Sequence, residues 1–168
     1  MIYEIDNLTK QTKEVQFIED GHIYKVDGVV VPSVTTLVKY LLPNKYAMVN
    51  NETLKRAREY GVDVHAKIDE MSKRLASGEK VDLNGIKESE VYNLCFLCEK
   101  MNLTPINSEE IVILFDEMMN PLTIGRYDLL LQDKDGKFIL ADIKTTATID
   151  YEAYSLQLNL YRLALEKK

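Results

Sequence analysis

Leu122-Thr-Ile-Gly125-Arg-Tyr-Asp128-Leu-Leu-Leu-Gln132-Asp-Lys-Asp-Gly136-Lys-Phe138-Ile-Leu-Ala-Asp142-Ile-Lys144-Thr145 is the stretch on which the fold turns. Two β-rich runs, 124–132 and 137–143, flank Asp133-Lys134-Asp135-Gly136, which has the composition of a hairpin turn. Asp142 and Lys144 are two residues apart in an extended strand and so project from one face. A three-residue loop at 134–136 sets Asp128 opposite Asp142, with Cβ atoms roughly 5 Å apart. A two- or four-residue loop moves the partner to Ala141 or Ile143, still on the neighbouring strand. Paired carboxylates at that spacing suit a divalent cation, because hard cations take oxygen ligands at about 2.0–2.6 Å.

Working outward, Glu110-Ile-Val-Ile-Leu-Phe115 is a strand by composition, and Asn120-Pro121 turns into the hairpin. Downstream, Asp150 is the N-cap of a helix over 151–166. Gln157 and Tyr161 share one face of it at i, i+4, and Leu156, Leu160 and Leu163 are expected to dock it on the sheet. Upstream, a helix spans 51–76, with Val64, Ile68, Met71 and Leu75 as its core stripe and Gly61 as a candidate kink. His65 lies about 100° from that stripe. A second helix covers 86–101. Residues 14–31 read as a hairpin or small meander with turns at Glu19-Asp20-Gly21 and Asp27-Gly28. Ser33 then caps a short helix through Leu41 that Pro43 ends.

Four pieces of this text occur in one order: Gly61-x-x-x-His65, Gly125-x-x-Asp128, Asp142-x-Lys144-Thr145 and Gln157-x-x-x-Tyr161. Together they resemble the PD-(D/E)xK nuclease superfamily, in its branch of RecB-like exonucleases and phage relatives. The run Gly21-His22-x-Tyr24 … Pro32-Ser33-Val34-Thr35-Thr36 is similar to the opening segment of the phage enzymes. The resemblance implies an α/β fold: a restriction-endonuclease-like core with a mixed central sheet flanked by helices, an N-terminal hairpin and a helical insert. It implies a metal-dependent DNA nuclease, an exonuclease of recombination or repair and of phage origin, whose hydrolysis leaves a 5′-phosphate. Family members usually continue with more strand after the Gln-x-x-x-Tyr helix, whereas this chain stops at Lys168. A minimal version, or a partner that completes the sheet, is implied.

Phosphodiester cleavage needs an activated water, a clamp on the phosphate and charge stabilisation in the transition state. Asp128 and Asp142 are the expected ligands of one or two Mg²⁺ or Mn²⁺ ions, with the Ile143 carbonyl as a further ligand. Lys144 would orient or deprotonate the attacking water. His65 would add a nitrogen ligand, which suits Mn²⁺ better than Mg²⁺. Glu110 resembles the family's upstream acid, with Glu109 and Glu117 as rivals. Gln157 and Tyr161 would donate hydrogen bonds to the site or the phosphate. Each has a plainer reading: Asp142 and Lys144 as a surface pair worth little, and His65 or His22 as structural histidines. Against the first, Asp142 ends the apolar run Phe138-Ile-Leu-Ala141, where an unpartnered charge is costly.

The chain has 168 residues, 46% hydrophobic and 29% charged, the balance of one soluble globular domain. The expected division is 1–50 for the hairpin and short helix, 51–103 for the helical region and 104–168 for the catalytic sheet and last helix. Neither a signal peptide nor a membrane span is legible, which points to the cytoplasm and away from membranes. Net charge is −6, unfavourable for DNA at first sight. Only the local field at the groove need be positive, however, and clustered acids are partly neutralised by a cation. Lys39, Lys45, Lys55, Arg56 and Arg58 form a candidate DNA-facing patch or, alternatively, a solvated helix face. Ser33 or Thr35 could contact a phosphate, although capping explains Ser33 as well. The two cysteines, Cys95 and Cys98, are too few for a four-cysteine iron–sulfur cluster and fit an apolar helix stripe rather than a redox pair. DNA, single- or double-stranded, is the expected partner. The remaining alternatives are an RNA-directed nuclease, or an inactive nucleic-acid-binding or structural module of the same fold. A homo-oligomer or a recombination protein could supply processivity.

Overall fold

Among the described residues, short apolar runs punctuated by turn residues build seven strands and four α-helices: β1 (Ile2–Ile5), β2 (Val15–Ile18), β3 (Ile23–Val26), β4 (Val29–Val31), α1 (Val34–Leu41), α2 (Asn51–Ala76), α3 (Ser89–Met101), β5 (Thr104–Phe115), β6 (Pro121–Gln132), β7 (Phe138–Ala141) and α4 (Tyr151–Leu165). The computed structural model describes residues 2–5, 14–42, 50–146 and 148–166. The main sheet has the order β1-β7-β6-β5, and β2-β3-β4 form a separate meander.

The hairpin sets the register. Asp133 N–H donates to the Lys137 carbonyl at 3.0 Å, closing a three-residue loop over 134–136, and Gly136 N–H returns to Asp133 O at 3.1 Å. Gly136 adopts φ +83°, the left-handed position that such a loop demands. The ladder therefore runs Gln132↔Phe138, Leu131↔Ile139, Leu130↔Leu140 and Leu129↔Ala141, and its next rung would set Asp128 against Asp142. The strand expected over 137–143 is shorter than that, since it leaves the ladder after Ala141.

The α/β class and restriction-endonuclease-like core expected from the sequence are present. Within the sheet, the expectation of mixed strand directions needs correction. Every described ladder is antiparallel, and the parallel contribution is the single bridge Ser33↔Ile124. The cause is connectivity: β5, β6 and β7 are joined by short turns, with no helical crossover to return a strand in parallel. β5 also begins at Thr104, six residues before the expected Glu110. Pro105 is accommodated because β5 is an edge strand, where proline is tolerated.

The sheet is covered on both faces. Val64, Ile68 and Met71 of α2 and Val91, Leu94, Cys95 and Cys98 of α3 bury Leu129, Leu131, Ile139 and Ala141 on one side. Leu158, Tyr161, Ala164 and Leu165 of α4, with Val34 of α1, bury Val112, Leu130 and Leu140 on the other. Leu129, Leu130, Leu140 and Leu158 are fully buried, each contributing roughly 1.5–3 kcal/mol of hydrophobic burial. The β2–β4 meander closes one end over Ile113 and Ile124 through Tyr24, Val26 and Val31.

Helix α2 is continuous through Gly61, and its core stripe is the expected one, with Leu75 partly buried. On α4 the docking face differs from expectation. Leu158, Tyr161, Ala164 and Leu165 point inward with the expected Leu160 packed partly buried beside them, whereas Leu163 is 41% exposed. Cys95 and Cys98 are buried free thiols. Burial raises both, Cys98 to about 11, so neither has the thiolate character of a redox pair. Pro43 and Lys45 lie outside the described residues. No described helix is long and apolar enough to cross a membrane.

Candidate metal centre

Asp128 and the Asp142-Ile143-Lys144 tripeptide meet where β7 stops. Asp128 Oδ2 accepts a hydrogen bond from Ile143 N–H at 2.6 Å. Lys144 Nζ lies 2.9 Å and 2.8 Å from the two oxygens of Asp142. The same ammonium sits over the Tyr154 ring, 4.5 Å from its centroid. The Asp142 side chain is 3% exposed and that of Lys144 21%, so the surface-pair reading fails on burial. Burial, then the neighbouring Asp142 charge, pushes the Asp128 carboxyl up to about 7. A carboxylate so placed needs a positive partner to remain ionised.

The positive side comes from α2. His65 Nδ1 stands 3.2 Å from Glu109 Oε1 and 3.6 Å from Asp128 Oδ1. Its hydrogen bond to Glu109 raises the imidazole above its ordinary value, against the opposing effect of burial. His65, Glu109 and Asp128 each present a ligand atom within 4.8 Å of the other two. One nitrogen and two oxygens converging from three elements form a donor set that fits a divalent cation.

The upstream acid in this cluster is therefore Glu109. Glu110, the expected one, is exposed and outside it, and so is Glu117. The backbone explains the exchange. Glu109 has φ +54°, and the β5–β6 register passes from Ser108↔Leu129 to Glu110↔Tyr127 without pairing Glu109 or Asp128. Consecutive residues consequently share a face. Ser108 Oγ donates to Asp69 Oδ1 of α2 at 2.5 Å, while Glu109 reaches His65 of the same helix. A period of two, counted through the strand, cannot foresee that break; only a local backbone distortion of the kind found at strand irregularities beside functional sites produces it. Arg126, which sequence reasoning passed over, binds Glu109 Oε2 through Nε at 2.9 Å. Its place two residues before Asp128 on one strand was the available signal.

Two glycines make room for the helices that frame the site. A Cβ at Gly125 would lie 2.5 Å from Tyr161 Cε1 and 3.0 Å from its hydroxyl. The Gly125-x-x-Asp128 spacing thus seats the α4 tyrosine against β6. Tyr161 is 3% exposed, and its hydroxyl accepts from Gln157 Nε2 at 3.2 Å. Burial raises its hydroxyl well above the ordinary phenol range, with the charges of Asp128 and Asp142 adding to the rise. Gln157 and Tyr161 therefore form a pair within electrostatic range of the acids, and Tyr161 is also a core residue. At Gly61, a Cβ would stand 3.3 Å from Thr145 Oγ1, so Gly61 is a close-approach position and not a kink.

The outlying expectations separate from this cluster. Ser33 is 6% exposed and caps α1 by accepting from Thr36 N–H at 3.1 Å; Thr35 is exposed on α1. Arg56 pairs with Glu52 at 2.7 Å and Lys55 with Glu59 at 3.9 Å. Along with Arg58, they lie on the fully exposed first turns of α2, and Lys39 is exposed on α1. His22 packs edge-on against Phe17 and Tyr24, a structural role.

Residues 98–168 match the family model of the PD-(D/E)XK nuclease superfamily. No curated protein and no solved structure matches the chain. The matched stretch holds Glu109, Asp128, Asp142, Lys144, Gln157 and Tyr161, while His65 lies before it and joins them through the packing of α2 on the sheet. The segment from Cys98 to Lys168, which carries the hairpin and the acids, is thus similar to the PD-(D/E)XK nuclease superfamily.

Proposed function

We propose that the chain is one nuclease domain that hydrolyses DNA with Mg²⁺ or Mn²⁺, as an exonuclease of the RecB-like and phage type acting in recombination or repair. The observation that carries this reading is the convergence of His65, Glu109 and Asp128 beside Asp142 and Lys144. These are the residue types needed to hold a cation next to a water-activating ammonium.

His65, Glu109 and Asp128 would hold the ion, with Asp142 available once Lys144 releases it. A bound divalent ion supplies Lewis-acid polarisation of the phosphate and a more acidic water. The protein's own groups do the rest. Lys144 orients the attacking water and offsets charge building on the phosphate. The Tyr154 ring and the Asp142 carboxylate hold that ammonium in place. Tyr161 and Gln157 fix α4 against Gly125 and keep the back of the site dry. Polar groups on the exposed start of α2 (Lys55, Arg56, Arg58) would follow the phosphate backbone.

The test is degradation of end-labelled single- and double-stranded DNA, and of RNA, with each ion and with EDTA. Metal-dependent loss of DNA, absent in Lys144→Ala and Asp142→Ala, is the expected result. Undiminished cleavage by either variant would sink the site assignment. Cleavage of RNA alone would replace DNA as substrate, and folded protein that binds DNA without cutting it would leave a binding module.

A further inference from the structure

The Glu109 carboxylate is shared between two neighbours on opposite sides. Oε1 faces His65 Nδ1 at 3.2 Å, and that nitrogen lies 3.6 Å from Asp128 Oδ1. Oε2 faces Arg126 Nε at 2.9 Å. The backbone under this side chain sits at φ +54°, a region that glutamate seldom occupies. The acid thus stands on an irregular rung, where the strand itself does little to aim it.

Arg126 stands on the adjacent β6, in register with Ile111, and lines the cleft of about 520 Å³ that also contains His65, Glu109, Val62 and Asp69. A guanidinium is always charged and presents donors in a fixed plane, so it constrains an acceptor's direction better than an ammonium does. Carboxylates that bind metals commonly have their outer oxygen hydrogen-bonded, and those outer partners govern affinity.

We propose that Arg126 is a positioning residue for the metal site: by holding Oε2 of Glu109 it turns Oε1 toward His65 and Asp128. The proposal rests on the reading of His65, Glu109 and Asp128 as cation ligands. Arg126 itself does not touch the ion. Its side chain is 56% exposed, and ion pairs at that exposure add little to fold stability. Its contribution should therefore appear in metal affinity and not in the stability of the metal-free protein. If the same guanidinium instead contacts a DNA phosphate, its removal would raise KM for DNA and leave metal affinity unchanged.

The experiment is calorimetric titration of the full chain with Mn²⁺, comparing wild type with Arg126→Gln, Arg126→Lys, Glu109→Gln and the double variant Arg126→Gln/Glu109→Gln, with Tm in EDTA measured for each. Arg126→Gln should weaken Mn²⁺ binding about 10–100-fold with an unchanged Tm in EDTA, and Arg126→Lys should recover part of the loss. The double variant should bind little worse than Glu109→Gln alone, since the two residues act through one oxygen. Wild-type affinity in Arg126→Gln, with or without a raised KM for DNA, overturns the proposal while leaving the metal site standing. Equal loss in Arg126→Lys and Arg126→Gln, or fully additive losses in the double variant, also counts against it. Absence of Mn²⁺ binding by the wild type overturns the metal site, and this role with it.

Discussion

Asp128 on β6 accepts the backbone N–H of Ile143 at 2.6 Å, and so latches the first acid of the site to the residue between the second acid and the lysine. The bond ends the β7 ladder and fixes where Asp142 and Lys144 emerge. It also separates two roles of Asp128: hydrogen-bond acceptor and negative charge.

Substitution at Asp128 can test those roles singly. Asp128→Asn keeps an acceptor for Ile143 N–H and removes the charge; Asp128→Ala removes both and leaves a half-buried donor without its partner. Asp128→Ala should lose about 1–3 kcal/mol of stability relative to Asp128→Asn, read as a lower denaturation midpoint in EDTA. Both should lose Mn²⁺ binding. Equal stability of the two would mean that the latch is unimportant.

The acidity of this cluster predicts a direction with pH. The folded-state value of Asp128 lies at about 7, above the ordinary carboxylate value, owing to burial and then to Asp142. Its stabilising contribution is therefore complete below about pH 4 and is lost as pH rises toward about 7. His65, raised by its bond to Glu109, acts in the same direction through its own higher range. In EDTA the Tm of wild type, measured against Asp128→Asn, should fall between about pH 4 and about pH 7. Cation binding displaces these protons, so Mn²⁺ affinity should weaken below pH 7 by about tenfold per unit for each proton displaced. A flat affinity profile in calorimetry would contradict this.

Lys144 is expected to matter for rate more than for fold. Lys144→Ala should reduce cleavage about 10²–10⁴-fold, the range for a positioned proton-transfer group. Its circular dichroism should still be that of a folded protein, although loss of one partner leaves the buried Asp142 uncompensated and should lower stability, read from the urea midpoint, by up to about 3–5 kcal/mol. Tyr154→Leu, which removes the ring face under the ammonium, should lower kcat by a smaller factor without altering Mn²⁺ affinity.

The seating of α4 can be tested by volume. Gly125→Ala places a methyl 2.5 Å from the Tyr161 ring and should cost about 1–3 kcal/mol through overpacking. Leu158→Ala should cost about 2–5 kcal/mol, whereas Leu163→Ala, at a 41% exposed position, should change stability by no more than about 0.5 kcal/mol. Urea midpoints for the three variants would settle which face of the helix is docked.

Much of this architecture is legible in the sequence. Helix phase placed His65 about 100° from the core stripe of α2, and hairpin arithmetic brought Asp128 to the Asp142 strand. Both depend on regular periods, and α2 and the 134–136 loop are regular. The α4 docking face was misjudged because Tyr161 was assigned to the site alone, although its ring is among the best buried groups on that helix.

What the sequence by itself determined is whatever local chemistry enforces: a glycine at the left-handed turn position, apolar runs long enough for strands, and a lysine two residues beyond an aspartate. The choice between Glu109 and Glu110 was decided by tertiary structure alone. Adjacent glutamates on a strand have equal claims until the backbone breaks its alternation. That break at φ +54° occurs only where β5 pairs with β6 while Ser108 and Glu109 both engage α2, contacts that join residues far apart in the chain and leave no trace in its local pattern.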